Sequence, residues 1–533
     1  MTKPINGFTQ SGFMPTFAKI LGTGALLSLP LSSQAVQFQF DDPNTQAFLD
    51  TSVSLGAIFR GVEGASPVSA ANPYQDNNFA DKWDIVSTPL KITVEAGFQK
   101  GSFGAFMRGT YIYDAIIMGL DPSEGFPPTN DWITSDGQDE IGNSFRLLDA
   151  FVYGSVGLGG TTTLSGRVGN QVLSWGESTY IGNSLNSINP ADGTKARGAA
   201  VELKEILLPL PIIWGSIDFG GAFSFDAYYV AKWEATIVDP VGTFFSPSSA
   251  LGEGFEELSI VQANGFTGNS TVDAEDGKEY GFAFRTVSES MGWAEFGFYY
   301  MRQSAHVAYF QATLDASGAS YQLIYPEGIN VFGTSVNVDL PGELGISLGA
   351  EISYRPDVPM SYSSATFGLI AGGPGVYQGY SKGDMTQAQA TFTYQGGSGN
   401  PFGADKMTIL VEPGLVYANM PENTPTEAAV FGQLDRFSYG YVALIKLEYS
   451  DVFWNLEIAP AITYKQDIQG SGPGIPSATF VERRKSMTAG LTFTYLIETT
   501  FDIGYTAYWG GGAYESSVQQ DQDFLALTLK TSF

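Results

Sequence analysis

The chain has no cysteine and a single histidine, His306, among its 533 residues. That removes disulfide staples, thiol nucleophiles and the Cys/His ligand sets of zinc sites. Positive charge is also scarce: 26 Lys and Arg stand against 55 Asp and Glu, a net charge of −29. Nucleic acid, whose phosphates need a positive face, is therefore not a partner. Long apolar runs are missing too. After residue 35 no stretch of about 18 apolar residues occurs, which excludes a conventional helical membrane protein. The length could mean several domains, but no Pro-rich, Gly/Ser-only or charge-block linker interrupts the chain, and one large domain is the simpler reading. What is plentiful is glycine, 64 residues, and aromatic side chains, 14% of the chain. A membrane β-barrel escapes hydropathy tests because its apolar residues alternate with polar ones.

The amino terminus reads as an export signal. Lys3 and Lys19 precede the apolar stretch 20–31, and Ser33, Gln34 and Ala35 supply small residues near a cleavage point. The stretch is too short to span a bilayer well and contains Pro30 and two glycines, so an anchor is the poorer alternative. Cleavage after Ala35 is expected, leaving residues 36–533 as a single outer-membrane barrel domain of a Gram-negative bacterium.

From about residue 48 onward the pattern has period two. In a strand successive side chains point to opposite faces, so a barrel wall shows an apolar face to lipid and a mixed face to the lumen. Within 344–355, Leu344, Ile346, Leu348, Ala350, Ile352 and Tyr354 alternate with Gly345, Ser347, Gly349, Glu351, Ser353 and Arg355. Residues 49–60 and 487–495 repeat the arrangement. A soluble sandwich also alternates, but three features separate the two. Tyr354, Tyr417, Tyr449, Trp454, Tyr464 and Tyr495 cluster at strand ends, where amphipathic rings favour the lipid interface. Short links near 99–102, 220–221, 288–292, 340–342, 450–452 and 498–500 take turns with links of roughly 20 to 40 residues, as in outer-membrane barrels. The chain also ends in an alternating strand that finishes on Phe533 and resembles the insertion signal read by the barrel-assembly machinery. The expected fold is an all-β, transmembrane antiparallel barrel of about eighteen strands, with sixteen as the alternative. Only about a dozen residues precede the first strand, too few for a globular plug domain.

Acidic residues fall mainly between strands, for instance Asp273, Glu275, Asp276 and Glu279, or Asp521 and Asp523. Solvated loops account for them. Loop-bound Ca²⁺, or a divalent bridge to lipopolysaccharide, is the sharper alternative, although no segment has complete EF-hand spacing. The stretch 171–211 differs. Trp175, Tyr180, Ile181, Leu185 and Ile188 need burial, and Asn183, Asn186 and Asn189 can bond to backbone, so it is expected to fold back into the barrel. A short helical turn is expected over 203–208, ended by Pro209. The segment is either a constriction that meets the solute or a filling that only stabilises the wall.

Several runs carry a family resemblance. They are 146–154 (RLLDAFVYG), 166–178 (GRVGNQVLSWGES), 186–190 (NSINP), 202–205 (ELKE), 239–245 (DPVGTFF), 325–329 (YPEGI) and 351–356 (EISYRP). Together they resemble the proteobacterial family known as domain of unknown function 1302, over nearly the whole chain after residue 35. Asn170 stands where the pattern has Gln or Arg, and Ala191-Asp192-Gly193 varies the usual Pro-Val-Asp. The resemblance implies an outer-membrane protein associated with uptake or degradation of hydrophobic compounds such as aromatics and steroids, and with pumps of the resistance-nodulation-division superfamily.

Parity places both charge signs inside: Glu95, Arg108, Asp149, Asp226, Arg285, Glu351, Arg355, Lys446, Glu448, Glu457 and Lys465. Phe106, Ile112, Tyr228, Val230, Leu410, Val442 and Leu444 point the same way. A lumen with apolar patches suits a hydrophobic or amphipathic solute, unless those patches pack on the folded-in segment. The expected lumen- or substrate-contacting residues are Arg108, Asp149, Arg167, Trp175, Glu177, Asn183, Asn186, Asn189 and Arg285. No cofactor is expected. Expected partners are outer-membrane lipid and lipopolysaccharide, the barrel-assembly machinery, and a periplasmic carrier or resistance-nodulation-division pump. A hydrolase would need a base beside a nucleophile; His306, read as a surface residue, has only Ser304 nearby, and no Gly-x-Ser-x-Gly elbow occurs in the right setting. A closed structural or adhesion barrel is the other rival.

Overall fold

A computed structural model describes residues 36–63, 78–79, 81–125, 128, 130–195, 206–247, 251–258, 265–316, 318–342, 345–361, 374–422, 434–474, 479–496, 498–511 and 521–533. The expected export signal, and residues 203–205 of the expected helical turn, lie outside these.

Eighteen antiparallel strands among the described residues form the wall. They are β1 Thr45–Arg60, β2 Pro89–Lys100, β3 Phe103–Asp114, β4 Asn143–Gly159, β5 Thr162–Gln171, β6 Leu210–Phe219, β7 Phe223–Val230, β8 Glu279–Ser288, β9 Ala294–Gln303, β10 Ile329–Asp339, β11 Ile346–Ser361, β12 Tyr380–Gly396, β13 Lys406–Asn419, β14 Phe437–Phe453, β15 Leu456–Gln469, β16 Lys485–Tyr495, β17 Thr499–Trp509 and β18 Phe524–Ser532. Each pairs with the next, and β18 closes on β1 from Ser52↔Ser532 to Arg60↔Phe524. Closure removes the open edges that hydrocarbon cannot hydrogen-bond. The expected strands all occur, with ends shifted by a few residues.

The outward positions are apolar and uncovered, among them Val152, Val168, Ile213, Phe225, Phe282, Phe298 and Phe332. An apolar belt of this extent around a closed wall is stable only in lipid. No helix among the described residues is long and apolar enough to cross a membrane, so the crossing belongs to the strands. Inward parity is equally clear: Glu351 and Arg355 are buried, whereas Ile352 and Tyr354 are exposed outside. One wall strand carries a proline in its middle. Pro413 has no N–H to give, and the β12–β13 register is interrupted there, holding on either side as Gln389↔Gly414 and Phe392↔Val411.

The long connections at the upper end do not all behave as solvated loops. Phe266–Gly268, Tyr309–Asp315, Gly318–Ile324 and Gly375–Gln378 pair into a separate four-stranded sheet. Its core contains Val241, Phe255, Leu258, Tyr321 and Leu323. Helix α1, Ser135–Gly142, is capped by the Thr134 hydroxyl, which accepts from the Gly137 N–H at 3.1 Å. Asp273, Glu275 and Asp276 are exposed, as expected of loop acids, but Glu279 is buried at the top of β8. Among the described residues the acids do not gather into a group of three or more that could hold a cation.

Candidate functional site

The link between β5 and β6 turns back into the barrel as its composition requires. Trp175, Ile181, Leu185 and Ile188 are fully buried and form one core with Tyr228, Val230, Met301, Val331, Val358 and Val442 of the wall. Thus Tyr228, Val230 and Val442 spend their apolar faces on this segment. Trp175 meets the rings of Tyr228 and Tyr299, with centroids 4.9 and 5.7 Å away.

Two wall carboxylates grip the segment by its backbone. Glu351 Oε2 accepts from the N–H groups of Glu177 at 2.5 Å and Ser178 at 3.1 Å, and Oε1 accepts from that of Leu185 at 3.2 Å. Glu412 accepts from Thr179 at 2.9 Å, Tyr180 at 3.1 Å and Ile181 at 2.6 Å. Successive amides converging on one carboxylate form an anion nest whose bonds are charge-assisted. Donors from the wall take the carbonyls: Arg355 reaches those of Asn183 and Ser184, Gln387 that of Gly182 at 2.7 Å, and Gln389 that of Ile181 at 3.0 Å. The turn at Gly176 has φ +91, and a Cβ there would stand 2.3 Å from Glu351 Oε2, so glycine is required. Gly414 allows close approach: a Cβ there would lie 2.7 Å from Ile181 Cδ1, and that side chain would have to shift. The run Trp175-Gly176-Glu177-Ser178 is thus anchor, turn and two bound amides with Glu351 as its receptor, while Ser353 and Arg355 hold Asn183 and Ser184 further along.

The remaining expected residues fall into different places. Asn189 lies inside the segment, accepting from the Leu173 N–H at 2.8 Å and donating to the Leu208 carbonyl at 2.9 Å. Asn183 is exposed, with φ +65, and borders a small polar hollow with Lys465, Phe480 and Arg484. Asn186 is half-buried, with no side-chain hydrogen bond among those found. Glu177 is half-buried and accepts from Asn337 at 2.6 Å; burial pushes its carboxyl up. Arg285 pairs with Asp226, lies 3.8 Å from Glu295, and packs over the Tyr299 ring. Arg167 stacks on Trp214 and Phe151. Arg108 pairs with Asp149 and lies 3.8 Å from Glu95. His306 is mostly covered rather than on the surface, with 10% of its side chain exposed. Its Nδ1 meets the Glu234 carbonyl at 2.8 Å and its Nε2 faces Glu279 at 3.4 Å, so neither nitrogen is turned to Ser304.

Because the segment packs on β7–β14, space remains beside β1–β4 and β18. It forms two contiguous chambers that share Lys91, Ile112, Ile141, Thr194 and Lys195. The upper chamber has a volume of about 180 Å³ and is bordered by Ile58, Val86, Ile117, Phe244, Phe245 and Ala526 together with Asp114 and Asp239. The lower holds about 50 Å³ and is bordered by Lys91, Glu95, Arg108, Glu140, Arg146, Asp192, Lys195 and Lys530. Of these, Lys91, Glu140, Arg146, Lys195 and Lys530 were not singled out from the sequence. Inward parity is the signal for Lys91, Arg146 and Lys530; nothing local marks Glu140 or Lys195. Burial pushes the Glu140 carboxyl up to about 7, with Glu253 reinforcing it and Arg146 opposing it. Burial lowers the Lys195 ammonium, which Asp192 and Asp239 favour and Arg146 and Lys91 oppose.

The family described as protein of unknown function DUF1302 matches residues 16–533. The chain belongs to that family. No curated protein matches this family member. Among solved structures it is similar to OccAB1 of Acinetobacter baumannii, at 11% identity and TM-score 0.45, covering 94% of this chain and 99% of that one. A BenF-like porin from Pseudomonas fluorescens Pf-5 gives 8% and 0.44, covering 91% and 98%. OccK5 (OpdH) of Pseudomonas aeruginosa gives 9% and 0.42, again covering 91% and 98%.

Proposed function

We propose that the protein is an outer-membrane channel that moves hydrophobic or amphipathic small molecules, of aromatic, steroid or lipid-like kind, with residues 171–211 as the lumen constriction. The observation that carries this reading is the off-axis passage. The folded-in segment is fixed to one side of the bore, and two contiguous chambers remain on the other side, the upper of which carries an apolar patch at Ile58, Val86, Phe244, Phe245 and Ala526. A filling that only stabilised the wall would not need so many dedicated grips on one arc and an unfilled opposite arc. In this reading the long connections face outward and the short turns face the periplasm, where a carrier or a resistance-nodulation-division pump would dock. Lipid and lipopolysaccharide surround the belt, and the terminal strand serves the barrel-assembly machinery. Catalysis finds no support in His306, whose ring bonds are spent on Glu234 and Glu279.

The test is single-channel conductance of the purified protein in planar bilayers, with candidate hydrophobic solutes added to one side. Concentration-dependent block is the expected result, together with a growth defect of a deletion strain on the blocking compounds as carbon source. A lumen that conducts nothing and responds to no solute would replace this reading with a closed structural or adhesion barrel.

A further inference from the structure

We infer that the passage is built for amphipaths with a small anionic head, of which a carboxylate is the best fit, and that the apolar body follows behind it. This deepens the proposed channel function and rests on it. The chain as a whole carries about twice as many acids as bases, 55 against 26. The lower chamber reverses that balance, with five bases, Lys91, Arg108, Arg146, Lys195 and Lys530, against three acids, Glu95, Glu140 and Asp192.

The bases are arranged along the path. Register puts Lys91 and Lys530 on one rung, both opposite Ser54. Arg146 lies one rung lower, in line with Thr110, Thr93 and Ser52. Arg108 lies one rung lower again, opposite Glu95. Two residues separate each rung, so the steps are roughly 7 Å. Lys195, on the folded-in segment, faces this row from the other side of the gap. Above it an apolar patch begins, with Ile58 and Ala526 paired two rungs above Ser54 and Lys530 and Phe244 and Phe245 beside them, while Asp114 and Asp239 border the same chamber.

That sequence of surfaces, an apolar patch above and a cationic excess below, matches a molecule with an apolar body and one charged end. Rings of Lys and Arg favour anions in a pore, and low-dielectric walls concentrate their field. The acids keep the site from holding the anion too tightly to release it: Asp149 and Glu95 stand beside Arg108, and Asp192 lies 3.9 Å from Lys195. The lower chamber is the tighter of the two, which favours the smallest common anionic head over a bulkier phosphate. Lys195 is short of solvation, with Asp192 and Asp239 supporting its charge and Arg146 and Lys91 opposing it more weakly.

The experiment compares four probes of one alkyl or aryl body: the carboxylate, the sulfonate, the neutral amide and the quaternary ammonium. Each is tested for block in planar bilayers, with the reversal potential measured in a potassium chloride gradient. Anion selectivity is expected, with the carboxylate blocking at least about tenfold more strongly than the amide, a difference of about 1.4 kcal/mol, and the ammonium weakest. In Arg146→Gln/Lys195→Gln the advantage of the carboxylate should fall several-fold, while block by the amide persists and shows the channel intact. Lys278→Gln, on an exposed upper connection beside Glu275, should change neither. Cation selectivity, or equal block by carboxylate, amide and ammonium, would overturn the anionic head while leaving the channel for amphipaths standing. Block by none of the four would instead remove the proposed function itself.

Discussion

The two sides of the lumen solve different problems with the same strand geometry. On β10–β13 the inward positions include glycine, glutamine and carboxylates, and Glu351, Gln387, Gln389 and Glu412 each bond the backbone of the folded-in segment. On β1–β4 and β18 the inward positions include Lys91, Arg108, Arg146 and Lys530 with hydroxyls and the acids Glu95 and Asp114, and they border open space. Buried carboxylates on the first side act as acceptors for amides that would otherwise be orphaned. On the second side the charges remain next to water and act over distance. The first arc therefore fixes position and the second, in the proposed channel, would set selectivity, although parity alone makes them look alike.

The sharpest way to break the contrast is to release the grip. In Glu351→Ala/Glu412→Ala three amides per carboxylate lose their acceptor, and the buried one of each set, Leu185 and Ile181, costs about 1–3 kcal/mol. The segment should leave the arc, and single-channel conductance should rise several-fold while heat-resistant barrel migration on gels persists. Unchanged conductance would show that the segment does not narrow the path. Next in size is Trp175→Ala. Emptying a fully buried indole costs about 3–5 kcal/mol, read as a lower unfolding temperature and a noisier open state. Gly414→Leu should act more mildly by pushing Ile181 off the wall, raising conductance modestly without altering the anion preference. The smallest effect concerns the other arc. Glu140 is neutral below about pH 7 and ionised above it, so the lower chamber passes from five bases against two acids to five against three. Anion selectivity measured by reversal potential should weaken as pH rises through about 7, and Glu140→Gln should flatten that step. Glu253, Arg146, Asp192 and Lys195 all bear on this carboxyl, so the step is broad. Because burial raises its pKa in the folded chain, Glu140 also subtracts from stability as pH climbs from about 4.5 to about 7.

Much of this was legible beforehand. Alternation located all eighteen strands, and the unmet need of Trp175, Ile181 and Leu185 for burial predicted the inward fold. What period two reveals is the face a side chain points to, not what it meets there. Glu351 and Arg355 were placed inside correctly, yet nothing in their neighbourhood shows that they bind residues 177–185. Glu412 went unnoticed because it sits beside Pro413, where a strand looks weakest. His306 looked like a surface residue because its partners, Glu234 and Glu279, come from other parts of the upper end. The four-stranded sheet was hidden for the same reason, since its strands come from three separate connections.

The distance along the chain between grip and gripped has a consequence in time. Leu185 waits for Glu351, 166 residues later, and Thr179 for Glu412, 233 residues later. Closing loops of that length is slow and gains nothing until the distant partner is in place. The early segment therefore cannot set until β11 and β13 have joined the wall. A barrel narrowed at its bore is one whose second half has already arrived.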